Sequence, residues 1–508
     1  MLTSQTRVLR KGADFSTQEA FNSASTVVKS TDRKLPECGI VLDSLGNSEY
    51  AVSAEELHCF IVGETGSGKT RRIILPSIRL MAKTGQSMVL SDPKGELYRK
   101  TSAGLREKGY EVKVINMRSP RQGCRWNPFT LVEKLYNSGS EEDRDKALIM
   151  AEDIINLMKS SCASEKDPYW ENAASQYIRG LILLMLEYAP RGCLTLQHLY
   201  EAETEMSRML SGSDELLNLF LRSLPSDSHI KQNLSSVLSL QQVSTTLGCV
   251  CSVAETILGT YIRQSAIRHL LSDTDFDIEE IGRKSVALFI ILPDDSDSLY
   301  PLATLLVSQI YSALVALADS LGGKLPNRVN FILEEFANFA VLNSIGSMLT
   351  ASRSRGIRFI LVCQNVGQLE GRYGTFGAET IRSNCRVWVF MGCRNLEFLQ
   401  MLRSLSGIHI ERYSGEQYPL IDVDMLQTLS PGEVFVWNDR CSPKLCHLPD
   451  ISSYDFGNEE CGESGLPPVM ACEEYMHFDL GAFLASLVDI EEIEETEEFE
   501  QEEGFIEF

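Results

Sequence analysis

The stretch FIVGETGSGKT, from Phe60 to Thr70, sets Gly63, Gly68, Lys69 and Thr70 at the spacing G-x-x-x-x-G-K-[ST]. Such a loop wraps polyphosphate with its backbone N–H groups. The predicted binding segment is Gly63, Glu64, Thr65, Gly66, Ser67, Gly68, Lys69 and Thr70, whose small residues let the backbone come close to an anion. Lys69 is placed to reach the outer phosphates and the Thr70 hydroxyl to hold magnesium. The helix that begins there turns its positive end towards the same charge.

A phosphate cradle alone serves kinases, GTPases, transporters and motors, so the second half of the chain has to narrow the choice. FILEEFANF puts Glu334 and Glu335 at the carboxyl end of an apolar run, the edge at which open α/β sheets carry their ligands. One carboxylate is wanted for the magnesium shell and one to polarise an attacking water; Glu334 and Glu335 are the candidates in that order. The plain alternative is a solvated strand end. In ASRSRGIRFILVCQN, Gln364 follows the next apolar run and could sense the terminal phosphate or orient water. Arg353 and Arg355 stand before that run, at the opposite sheet edge, so Arg353 is either an arginine finger offered to a neighbouring subunit's nucleotide or a surface cation. Asp92, in SDPKGE, belongs either to the nucleotide site or to the cap of the next helix.

These residues need a frame. Apolar, β-branched runs at Leu57 to Val62, Ser87 to Ser91, Glu111 to Ile115, Ser285 to Leu292, Val329 to Leu333, Ile357 to Val362, Arg386 to Met391 and Glu433 to Trp437 alternate with helical spacing, including Arg71 to Lys83 and Glu96 to Lys108. That alternation predicts an α/β fold with a parallel sheet and crossover helices. Between about Glu141 and Arg283 the spacing is helical, so an all-helical block interrupts the sheet domain. The expected division is an N-terminal extension (1–36), a first α/β part (37–140), the helical domain (141–283), a second α/β part (284–458) and an acidic tail (459–508).

The net charge of −23 in 508 residues is unevenly spread. Asp489 to Phe508 holds eleven carboxylates and no Lys or Arg, whereas Arg353 to Arg403 holds eight arginines against three glutamates. The tail lacks the apolar surface to fold alone, and the chain from Glu459 onward reads as a loosely ordered extension. Fourteen cysteines are scattered without a C-x-x-C pair, which points to reduced thiols in a cytosolic protein. No stretch reaches the ~18 uninterrupted apolar residues of a membrane helix, so a soluble, cytoplasmic chain is expected.

GETGSGKT, LSDPKGELYRKT, WNPF, DPYWENAA, FILEEFANF and ASRSRGIRFILVCQN, in this order, resemble the coupling-protein ATPases of type IV secretion and conjugative DNA transfer, the TraG/TraD type. The likeness spans roughly Glu37 to Leu448. It implies a RecA-like P-loop NTPase sheet with an inserted all-helical domain, ATP and Mg2+ as cofactors, and a homo-hexameric ring. Such a ring would feed relaxase-bound single-stranded DNA or protein substrates into a secretion channel. On this resemblance Lys69 and Thr70 match the phosphate-loop pair, Glu334 and Glu335 the Walker B carboxylates, and Arg353 to Arg355 the arginine-finger segment. Two departures stand out: Glu334 replaces the family's usual Asp, which could slow turnover, and the usual pair of amino-terminal membrane helices is not seen, so membrane docking at the inner face would need a partner.

A ring of this kind can be acidic outside while basic residues line its channel, and the run from Arg353 to Arg403 is the expected source. The tail would recruit basic relaxosome partners or act as a solubilising end. Besides the DNA-pumping ATPase, two readings stay open: a soluble recruiting platform with weak or no hydrolysis, and a DNA motor of the chromosome-partitioning kind, which would not explain DPYWENAA.

Overall fold

The computed structural model describes residues 13–160, 168–212, 214–342, 344–411, 415–438, 441–457, 463–471 and 476–488. The acidic run from Asp489 and Asp167 of DPYWENAA lie outside them. The chain falls into two compact units, one of residues 1–118 and 277–467 and the other of 119–276 and 468–508.

In the first unit, β1 (Thr26–Lys29), β2 (Ile40–Gly46) and β3 (Glu49–Ser53) form a small antiparallel sheet in the order β1-β3-β2. The main sheet is built from β4 (His58–Val62), β5 (Ser87–Asp92), β6 (Glu111–Asn116), β7 (Val286–Ile291), β8 (Val329–Leu333), β9 (Ile357–Cys363) and β10 (Cys385–Phe390). Two short strands, β11 (Ile408–Ile410) and β12 (Gln417–Pro419), pair apart from it, and β13 (Glu433–Asn438) and β14 (Cys441–His447) complete it. The order across the nine strands is β14-β13-β10-β4-β9-β8-β5-β7-β6. From β10 to β6 every pairing is parallel; β13 and β14 add antiparallel. Strands covered on both faces must be apolar throughout, and β4, β7, β8 and β9 are buried along their whole length.

The sequence predicts β8 residue for residue and the other main-sheet strands except β14 to within a residue or two. It does not anticipate β1 to β3 or β14. The segment after the phosphate loop also departs from expectation: Lys69–Ile74 is a π-helical turn, and the α-helix proper runs only from Leu75 to Met81.

The second unit is helical and starts earlier in the chain than the spacing suggests. WNPF belongs to it, because Trp126 and Phe129 are fully buried, Trp126 N donates to Leu270 O at 2.7 Å and the Asn127 amide donates to Leu194 O at 2.8 Å. The expectation of a loose extension after Glu459 is corrected for part of its length. Leu480–Ala485 is a short helix, capped by Asp479, that packs on Leu196–Gly212 and Glu215–Ser223 with Leu480 and Leu484 buried. Glu201 and Glu205 accept from the Phe478 and Leu480 N–H groups at 2.9 and 2.8 Å. Among the described residues two helices, Ser244–Ile262 and Tyr300–Ser320, are long and apolar enough to cross a membrane, but half and two-thirds of their apolar windows are buried inside the protein.

Behind the parallel sheet, at the edge where its strands begin, lies a buried guanidinium. Arg358, 2% exposed, donates from Nε to Asn330 Oδ1 at 2.8 Å, from Nη1 to Ser53 O at 2.8 Å and from Nη2 to Cys38 O at 3.0 Å. It fastens the small sheet to the large one. Gly39 sits so close that a Cβ there would fall 1.6 Å from Ser53 O and 2.7 Å from Arg358 Nη1.

Candidate active site

The strand order decides which ends become neighbours. Because β9 and β8 are inserted between β4 and β5, the carboxyl ends of β4, β9, β8 and β5 stand side by side. They bring Gly63, Gln364, Glu334 and Asp92 to one edge. The loop after β4 is held by its own backbone: Gly63 N donates to Cys363 O at 3.2 Å and Glu64 N to Gly392 O at 3.0 Å. Gly66 and Gly68 have φ of +84° and +90°, a region where a side chain is strained, so the tight turn requires glycine at both.

The cleft at this edge has a volume of about 360 Å3, within the range of ligand pockets. Glu64, Thr65, Gly66, Gly68, Lys69, Thr70, Glu334, Glu335 and Gln364 line it. Gly63 and Ser67 stand behind the loop, where the Ser67 hydroxyl lies 2.6 Å from the place a Gly63 Cβ would take. The Lys69 ammonium donates to the carbonyls of Gly63 and of Glu64, the latter at 3.1 Å. Thr70 Oγ1 donates to Glu334 Oε1 at 2.7 Å. Thr65 Oγ1 donates to Gln364 Oε1 at 2.7 Å, and Gln364 Nε2 donates to Glu335 Oε1 at 2.5 Å. The phosphate loop is therefore wired through Gln364 to the second carboxylate.

Burial sets the charges. Withdrawal from water pushes the Glu334 carboxyl up to about 8; the charges of Asp92 and Glu335 add to this, while the Thr70 hydroxyl and Lys69 oppose it. Asp92, 1% exposed, is pushed up to about 6 by burial against the pull of backbone N–H groups. Burial lowers the Lys69 pKa, and the glutamates around it counteract the fall. A divalent cation fits such a set: two acidic side chains and a hydroxyl converge, and a metal would offset the cost of ionising them. Thr70 and Glu334, bonded to each other at 2.7 Å, could hold it.

Glu335 has φ +54°, a left-handed conformation that costs a non-glycine residue on the order of 1 kcal/mol or more. It aims the carboxylate back along the strand end towards Gln364. Asp92 does both of the jobs between which the sequence left it: it lines the cleft and accepts from Tyr98 N at 2.8 Å at the start of the helix Glu96–Glu107.

Arg353 is not in the cleft. It lies in the turn Arg353–Arg355 before β9 and donates from Nε to Glu56 O at 3.2 Å. The arginine-rich run divides. Arg358 and Arg382 are buried, the latter paired with Glu370 at 2.7 Å, and so cannot line a channel; Arg372, Arg386, Arg394 and Arg403 are exposed. The sequence misses Arg71, Lys94, Glu96, Asp294, Tyr300 and Asn338 as cleft residues. Asp294 carried a weaker signal, since it lies three residues past the end of β7 whereas Glu334 directly follows β8.

A family described as type IV secretory system conjugative DNA transfer matches residues 9–407. The chain is 26% identical over 383 residues to the conjugal transfer protein TraG of Escherichia coli, covering 72% of this chain and 57% of that protein. It is 25% identical over 367 residues to VirD4 of Rhizobium radiobacter, covering 70% and 49%. The chain thus spans about half the length of these relatives. Among solved structures, the plasmid coupling protein TrwB in complex with the non-hydrolysable ATP analogue ADPNP superposes with a TM-score of 0.60 at 17% identity, over 90% of this chain and 97% of TrwB. TrwB in complex with ADP and Mg2+ gives 0.55 at 18% identity, over 90% and 97%. The likeness to TrwB bears out the RecA-like sheet, and with most of its length matched by the family model, the chain belongs to the type IV secretory system conjugative DNA transfer family.

Proposed function

We propose that the chain is an ATP-driven coupling protein that binds ATP with Mg2+, hydrolyses it, and delivers relaxase-bound single-stranded DNA or protein substrates to a type IV secretion channel at the inner face of the membrane. The observation that carries this reading is the closed contact between Thr70 and Glu334 at 2.7 Å. Glutamate is one methylene longer than the family's usual aspartate, yet it reaches the magnesium-binding hydroxyl. A decayed receptor has no need of that geometry.

In the reaction, Lys69 and the loop N–H groups neutralise the outer phosphates, Thr70 and Glu334 hold the metal, and Glu335 orients the attacking water. Gln364, bonded to both Thr65 and Glu335, reports the state of the terminal phosphate to the base. The test is hydrolysis by the purified protein at low salt with and without single-stranded DNA, with Lys69→Ala as control. Stimulation by DNA that vanishes in Lys69→Ala supports a motor; no hydrolysis in either would leave only the recruiting platform.

The same reading assigns a homo-hexamer with relaxosome and channel partners, and places Arg353 at the interface to serve a neighbour's nucleotide. Its bond to the Glu56 carbonyl is then a resting position. Mixed with excess Lys69→Ala subunits, Arg353→Ala should regain part of its hydrolysis. No regain in verified rings would make Arg353 structural. The acidic run from Asp489 is assigned to recruitment of basic partners, and its deletion should weaken their capture in a pull-down.

A further inference from the structure

The helix Val366–Asn384, which follows Gln364, is broken. At Gly374 the backbone turns to φ 69°, ψ 169°, a combination open in practice to glycine alone. Gly371 and Gly377 flank the break. Phe376, carried out of it, is 86% exposed, the most exposed large apolar side chain among the described residues. The chain around it is not an apolar run of the kind that docks a protein: Gly374, Thr375 and Gly377 adjoin it, and Arg372, four residues earlier, is exposed. Of the acids on this helix, Glu370 is paired with Arg382, and Glu379, three residues beyond Phe376, is exposed. An exposed ring with an exposed arginine four residues away in the chain suits a nucleobase and its phosphate, and since every base has a π face it would read no sequence.

The inner side of the break leads back to the nucleotide cleft. Tyr373 stacks on Phe336 with ring centroids 5.9 Å apart and 12° between planes, and its hydroxyl accepts from Leu342 N at 3.3 Å. Phe336 directly follows Glu335, the residue in the left-handed conformation whose carboxylate takes the Gln364 amide. A change at Glu335 therefore has a short path, through one pair of stacked rings, to a glycine-hinged segment that exposes an aromatic side chain.

We propose that residues 371–377 form a single-stranded nucleic-acid contact in which Phe376 stacks on a base and Arg372 meets the phosphates, with the Phe336–Tyr373 ring pair linking that contact to Glu335. This deepens the motor reading and rests on its assignment of DNA as cargo.

Anisotropy of a labelled thirty-residue oligothymidylate at low salt tests it on the full chain. Phe376→Ala is expected to weaken binding about tenfold, the scale on which one stacked base contributes, and Phe376→Trp to restore it with fluorescence quenched by the oligonucleotide. Equal affinity of the parent and Phe376→Ala overturns the contact and leaves the motor reading standing; a parent that neither binds the oligonucleotide nor hydrolyses ATP faster in its presence overturns both. A photoreactive benzoylphenylalanine in place of Phe376 should crosslink to the labelled oligonucleotide. Crosslinks confined to a second copy of the chain, or to casein offered as an unfolded polypeptide, would overturn the nucleic-acid assignment.

Discussion

Where β4, β8 and β9 begin, a guanidinium is buried among neutral acceptors; where these strands and β5 end, Glu334, Glu335, Asp92 and Lys69 are among the charged groups that share an open cleft. Both edges withdraw charge from water, and the difference lies in the partners. Arg358 spends its donors on carbonyls and amides, which have nothing to protonate. Burial pulls its pKa to about 10, still far above neutrality, so its charge is fixed. Glu334, Glu335, Asp92 and Lys69 face one another instead, and burial has moved Glu334 and Asp92 towards the pH at which proteins work. The lesson is that buried charge marks function where it remains free to change its state, and structure where every bond is already committed.

Breaking each edge should separate the two roles. On the proposed function Lys69→Ala removes the cation for the outer phosphates, and hydrolysis should fall on the order of 10³-fold, about 4 kcal/mol of barrier, with little change in the urea-unfolding midpoint. Arg358→Met is the converse. It strands several buried carbonyls and should lower stability by about 3 kcal/mol, read as the urea midpoint of the full chain; an unmoved midpoint would show that those acceptors find other donors. Glu334→Asp is a finer cut. It shortens the side chain now bonded to Thr70 and should slow turnover about tenfold, or about 1.4 kcal/mol; a faster enzyme would mean that the longer carboxylate had been attenuating it.

A pH series sharpens the same contrast with the smallest effect. The Glu334 pKa is raised from 4.5 to about 8, so the folded protein keeps a proton that the unfolded chain has released. The stability gained from this is full below the ordinary pKa and is lost as pH rises through about 8. On the proposed function, magnesium–nucleotide binding needs the ionised form, so its affinity should increase across that interval with release of a proton. In Glu334→Gln the Glu334 contribution to both slopes should vanish; unchanged slopes would assign the proton elsewhere. Arg358→Met should leave the magnesium dependence on pH as it was.

How much of this was legible depended on how far each feature is a local property. Fully buried parallel strands read as continuous apolar runs, which is why VNFIL and SVALFIIL could be placed closely. The small sheet and β14 could not: β14 is an antiparallel edge strand, only half-buried and with Pro443 inside it, and β1 is four residues long. The phosphate loop and the two glutamates carry their signal in type and spacing. Asp92 did not, because its double duty follows from β8 lying beside β5, a non-local fact. Arg358 was visible yet misplaced. A charged residue within IRFILVC was itself a sign of a buried, fully bonded group, but counting arginines along the run put it with the channel candidates.

Gly39 carries a consequence for how such chains diverge. A side chain there would strike both the Ser53 carbonyl and the Arg358 guanidinium, and Arg358 in turn depends on Asn330 across the strand pair. No one of the three can change without penalty while the other two stay. Mutational paths through this knot are therefore gated: here evolution has to move in concert or stand still. An alignment deep enough to resolve pairs should show positions 39, 330 and 358 either fixed together or exchanged together.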